Sequence, residues 1–136
     1  MEKEFLDYTE ALELKELGFD EPCFGYYEPN KKFKYINWET FKDFPYLAKN
    51  SEWQDLCGAA TFSQAFRWFR EKHGWISTVW TICISTDGIT SFEYAIDTLN
   101  DLGVSQYREN FPYKTYEEAE LDCLKELIEI VKEKQL

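Results

Sequence analysis

The stretch Thr61 to Gly74, TFSQAFRWFREKHG, constrains the fold more than any other, because a helix is legible in it from start to stop. Thr61 and Gln64 have the T-x-x-Q spacing of a capping box, in which the threonine hydroxyl accepts from the Gln64 backbone N–H and Gln64 reaches back. Phe62, Ala65, Phe66 and Phe69 recur at helical spacing, and Gly74 supplies the residue that most easily turns left-handed after a last helical turn. Arg67 and Arg70 fall on a face away from the phenylalanines, with Trp68 at its border. Arginine and tryptophan are over-represented among the residues that dominate protein interfaces, so Arg67, Trp68 and Arg70 form the candidate partner-binding surface. The bland alternative is ordinary amphipathy, with both arginines paired to acids of a terminal helix.

A second helix is expected over about Tyr8 to Leu17, capped by Asp7 or Thr9 and stopped at Gly18. Tyr8, Ala11, Leu14 and Leu17 make its stripe, and Phe19 folds back onto it in a Schellman-type contact. A third follows Thr115, where Thr115 and Glu118 repeat the capping-box spacing. Tyr116, Ala119, Cys123, Leu124, Leu127, Ile128 and Val131 form its buried stripe, with Glu117, Glu118 and Glu120 near its start and Lys132 and Lys134 near its end, as the helix dipole prefers. Between the helices lie two hairpin patterns. One runs Cys23 to Glu28, turns over Pro29 to Lys32 and returns as Phe33 to Ile36. The other pairs Trp75–Thr86 with Ile89–Ile96 across a type I′ turn at Asp87-Gly88, with Ile76, Trp80, Ile82 and Ile84 on one face and Val79 and Cys83 among serines and threonines on the other. Residues 37 to 60 read as a long connection with one short helix, around Trp38 to Asp43 or Ser51 to Leu56. Residues 97 to 110 read as a helical turn ending near Gly103 and a short strand at Val104 to Arg108. The expected fold is therefore α+β, an antiparallel sheet built from hairpins with about three helices packed on one face, in a single globular domain over residues 1–136.

Charge and chemistry narrow the functional classes. The net charge of −11 is concentrated at the ends: residues 1 to 21 hold eight acids and two lysines, and residues 115 to 136 hold seven acids and three lysines. That placement disfavours direct binding to nucleic acid, where lysine and arginine neutralise phosphates. Lys31, Lys32, Lys34, Lys42 and Lys49 interleave with Phe33, Tyr35, Trp38, Phe41, Phe44 and Tyr46 in a pattern that can grip single strands, but the net charge opposes that use. No apolar run is long enough to span a bilayer, and MEKEFLDY lacks the layout of a signal peptide, so a cytoplasmic protein without membrane association is expected. There Cys23, Cys57, Cys83 and Cys123 stay reduced and serve as core thiols.

No catalytic residue, metal site or cofactor is assigned. His73, the single histidine, sits on the apolar stripe at a helix C-terminus, where a capping or edge role is natural. The six glycines form no phosphate-binding loop, and the scattered cysteines lack zinc spacing. With 25 aromatics, 11 Phe, 9 Tyr and 5 Trp, more rings are present than one small core easily hides, which points to an interface. A second copy of the chain would satisfy them as well as another protein.

The blocks EALELKELGFDEPCFGYY, TFSQAFRWFREKHG and TYEEAELDCLKELIEIVKEK resemble a family of small uncharacterised proteins encoded by bacteriophages, prophages and related mobile elements of gut bacteria. The resemblance covers about 45% of the chain and carries no activity with it; what it implies is context, a small intracellular protein of a mobile element, where accessory and host-interaction roles are common. The leading expectation is a non-enzymatic protein that acts by binding an unknown protein partner. The alternatives are an acidic DNA mimic that occupies a nucleic-acid-binding host protein, and an enzyme with unrecognised carboxylate or Cys–His chemistry.

Overall fold

The computed structural model describes residues 2–36, 47–52, 55–83, 90–98, 107–108 and 112–135. The described chain is α+β, with three α-helices and two three-stranded antiparallel sheets, and its contacts divide it into two compact units, Met1–Ala65 and Phe66–Leu136.

In the first unit, helix α1 (Tyr8–Glu16) ends as the sequence predicts. Gly18 adopts φ 99°, its N–H donates to the Lys15 carbonyl at 3.1 Å, and the Phe19 N–H donates to the Leu14 carbonyl at 2.9 Å. These are the two bonds of a Schellman motif, and the buried side chains of Leu14 and Phe19 supply its apolar contact. At the other end Asp7 stands at the cap, but its carboxylate makes no capping bond. The expected stripe is half realised: Ala11 and Leu14 are buried, whereas Tyr8 and Leu17 are only half-buried.

Strands β1 (Gly25–Tyr27) and β2 (Phe33–Tyr35) form the expected first hairpin, and β3 (Cys57–Ala59) pairs with the other edge of β1. The turn is a three-residue loop, Pro29, Asn30 and Lys31. The Lys31 N–H donates to the Glu28 carbonyl, and Lys31 itself takes φ 66° before the ladder resumes at Glu28 and Lys32. Gly25 on β1 makes room for aromatics, since a Cβ there would lie 2.8 Å from the Phe33 ring and 2.9 Å from Phe5. Tyr27 rests edge-on against both Tyr8 and Phe33, and its hydroxyl donates to the Leu6 carbonyl at 2.7 Å. The second option for a short helix, Ser51 to Leu56, is not realised in its described residues, where Ser51, Glu52 and Asp55 lie in turns; the option at Trp38 to Asp43 lies outside the described residues.

In the second unit, β4 (Trp75–Cys83) and β5 (Thr90–Thr98) form the long hairpin read from the sequence, and β6 (Tyr107–Arg108) adds to β5. The turn lies outside the described residues. An unbroken ladder closed by a two-residue turn at Asp87-Gly88 would set Cys83 opposite Phe92; Cys83 instead faces Thr90. A shift of two residues leaves every side chain on its own face. The covered face, however, is not the isoleucine face of β4. On β5 the large residues Phe92, Tyr94 and Ile96 stand opposite Thr81, Val79 and Ser77, so small side chains on one strand leave room for large ones on the next. Trp75, Tyr94 and Ile96 are buried on this face, whereas Ile76, Trp80 and Ile82 on the other are half-buried.

Helix α3 (Tyr116–Gln135) lies against β4 and β5. Its Ala119, Cys123, Leu124, Leu127, Ile128 and Val131 are buried as expected, joined by Ile130, and the Thr115 hydroxyl accepts from the Glu118 N–H at 3.1 Å. Tyr116 departs from the stripe. It is 42% exposed, with its ring edge-on to Phe92.

Candidate partner-binding surface

Helix α2 (Phe62–His73) carries the residues on which the sequence reading placed the surface. Thr61 caps it through the Gln64 N–H at 3.2 Å, but the Gln64 side chain does not complete the box; its amide donates to the Pro22 carbonyl at 2.8 Å. The helix stops where expected, with Gly74 at φ 73° and its N–H bonded to the Arg70 carbonyl. Arg67 and Arg70 are exposed. Trp68 is not: it is 4% exposed, with its indole edge-on to Phe69 at 5.0 Å and to His73 at 4.8 Å. Ala65, Trp68 and Phe69 form an i, i+3, i+4 set as regular as the phenylalanine stripe, and this set is buried, while Phe62 and Phe66 are left half-buried at its edge. Trp68 is therefore core, and Arg67 and Arg70 stand on the surface without it.

Burial of His73 against Trp68 and Phe69 holds its imidazole pKa below the usual value of 6.5, so desolvation outweighs the pull of the helix C-terminus. The unfolded chain takes up this proton at a higher pH than the folded one. The contribution is therefore fully present above pH 6.5 and is lost as pH falls below it. Urea denaturation across this range should show stability falling with pH, with a flatter slope for His73→Gln.

Among the described residues the two most exposed large apolar side chains lie on the first hairpin. Phe24 is 61% exposed and Tyr35 51% exposed. They flank the hairpin's open end on opposite faces. The Phe24 carbonyl accepts from the Ile36 N–H, which places Phe24 on the face of Tyr26 and Lys34, while Tyr35 continues the ring series of Tyr27 and Phe33 on the other. Lys32 and Lys34 are exposed, and the Lys31 ammonium lies 5.4 Å from the centre of the Tyr8 ring. The sequence reading included Tyr35 and these lysines in its interleaved segment but missed Phe24. Its signal was parity, since alternation that buries Tyr27 and Gly25 turns Phe24 outward. The rest of that segment, Trp38 to Tyr46, lies outside the described residues.

Burial holds the three described thiols in their protonated form. Burial pushes Cys23 and Cys123 up to about 12, the former helped by Glu21 and the latter despite a hydrogen bond with Ser77, and burial raises Cys57 as well. All three are free and buried, as expected of core thiols; the Cys83 side chain lies outside the described set. Among the described residues no group of three or more histidine, cysteine or acidic side chains could hold a metal ion, and no helix is long and apolar enough to cross a membrane. Comparison with protein-family models, with curated proteins and with solved structures finds no match.

Proposed function

We propose that the chain is a non-enzymatic accessory protein that acts by binding another protein, in the mobile-element setting that its sequence resemblance implies. The observation that carries this reading is the first hairpin, which holds Phe24 and Tyr35 more than half exposed beside a row of lysines. Rings left in water cost free energy that an apolar pocket recovers, and the lysines select a partner whose pocket is rimmed by acids. Thiols held protonated support the non-enzymatic side of the reading.

The test is affinity capture from bacterial lysate with the wild type and with Phe24→Ala/Tyr35→Ala. Both rings are largely exposed, so their removal should leave the melting temperature within a few degrees while lowering partner recovery by about tenfold or more. Equal recovery by both proteins would remove the hairpin from the interface.

The second reading is the acidic DNA mimic, favoured by the exposed Glu117, Glu118, Glu129 and Glu133 of α3. Against it, Lys132 pairs with Glu129 at 3.7 Å and Lys134 lies over the Trp75 ring at 4.5 Å, so the acidic row is interrupted. A mimic would bind with a steep salt dependence and be displaced by duplex DNA.

A further inference from the structure

The two sheets treat their edges differently. In the first, the edge strand β2 has three residues, with Lys34 at its centre and Lys31 and Lys32 just before it. Short length and lysine are two of the devices by which proteins keep an edge from pairing with another chain. In the second sheet β4 is an edge strand of nine residues, WISTVWTIC, with no charged residue, no proline and no glycine. Its nine consecutive pairs with β5 are unbroken by a bulge, and among the described residues no strand pairs with its outer edge. Thr78 and Thr81 are exposed, and Ile76, Ser77, Val79, Trp80 and Ile82 are half-buried.

The strand is also close to self-complementary. If it is laid antiparallel to itself about Val79, then Val79 meets Val79, Ile76 meets Ile82 and Ser77 meets Thr81. Thr78 meets Trp80, and Trp75 meets Cys83. Every pair joins residues of the same face, so the helix-covered face of one copy continues into that of the other. Matched β-branched pairs and hydroxyl pairs across strands are the contacts that stabilise sheets. Because α3 lies over both β4 and β5, with strands about 4.8 Å apart its copy would lie about 10 Å away, an ordinary helix-to-helix spacing. We infer that the chain forms a two-fold dimer through β4, with Val79 on the axis, joining two three-stranded sheets into one of six. The absence of charge on β4 is what allows copies that each carry −11 to meet there. This interface involves a different sheet from the partner-binding hairpin, and neither proposal depends on the other.

Sedimentation equilibrium and cysteine cross-linking test it on the full chain. The wild type should be dimeric at about 100 μM, with tighter association at high salt as the net charges are screened. Thr78→Lys places two ammonium groups diagonally across the two-fold axis on an exposed position; it should weaken association by about tenfold or more, while Thr78→Ser leaves it unchanged. Val79→Cys should form a disulfide-linked dimer under mild oxidation much faster than the wild type or Thr81→Cys, because only residue 79 meets its own copy. A monomeric wild type, a dimer indifferent to Thr78→Lys, or a Val79→Cys cross-link no faster than these controls would overturn the inference.

Discussion

Trp68→Ala is expected to lower the unfolding free energy by about 3–5 kcal/mol, the cost of removing a large aromatic from a site that cannot collapse around the void. Trp68 is 4% exposed and shares edge contacts with Phe69 and His73, so the loss strips two neighbours as well as the indole's own burial. A second consequence distinguishes this from a general loss of packing. His73 is held below its usual pKa by desolvation, and the indole is part of what excludes water from it. In the folded Trp68→Ala protein the His73 pKa should therefore rise toward 6.5, and the pH slope of stability below that value should shrink. Chemical denaturation followed by circular dichroism gives the first quantity, and NMR titration of the single histidine gives the second. An alanine variant as stable as the wild type would return Trp68 to the surface.

Asn50→Ala should cost about 2–4 kcal/mol, because it leaves two backbone groups without their partners. The Asn50 side-chain oxygen accepts from the Gly58 N–H at 2.8 Å, and its amide donates to the Phe19 carbonyl at 2.8 Å. One side chain thus ties the end of the Schellman turn to β3. The neighbouring residues extend the connection. Cys23 and Ala48 exchange backbone bonds at 2.7 and 2.9 Å, and the Ser51 N–H donates to the Asp20 carboxylate at 2.7 Å. Partial burial alone would raise the Asp20 pKa, but its bonds with Ser51 and the Lys49 ammonium 3.9 Å away hold it below its usual value. Gly58 admits this arrangement, since a Cβ there would stand 3.3 Å from both the Asn50 oxygen and the Cys23 sulfur. Asn50→Asp retains the acceptor but sets a carboxylate against the Phe19 carbonyl, so it should not rescue. A thermal melt of Asn50→Ala matching the wild type would show that water replaces both bonds.

These residues mark where the sequence is legible and where it is not. The stops of α1 and α2 can be read because a glycine at positive φ and a carbonyl within the same turn decide them. The Thr61 and Thr115 caps are local in the same way. The second half of the Thr61 box fails because Gln64 finds Pro22, a residue 42 positions away that no local rule contains. Trp68 is misplaced for a related reason. Ala65–Trp68–Phe69 and Phe62–Phe66–Phe69 are both valid helical stripes, and only the tertiary neighbours choose between them. The covered face of the long hairpin is likewise decided by Phe92, Tyr94 and Ile96 of β5, whereas the isoleucines of β4 point to the other side. Asn50 sits in a segment of mixed signals, and its importance comes wholly from partners at Phe19 and Gly58. For the candidate surface, the aromatic excess and the lysines around the first hairpin are visible in composition, but which rings remain in water is a property of packing.

Hydrogen exchange on the complex with the captured partner tests the central claim most directly. Binding through the hairpin predicts new protection of the backbone from Phe24 to Tyr35, retained at moderate salt, with the acidic face of α3 exchanging as in the free protein. Protection confined to α3, disappearing as salt rises, would contradict it and establish the acidic helix as the binding face.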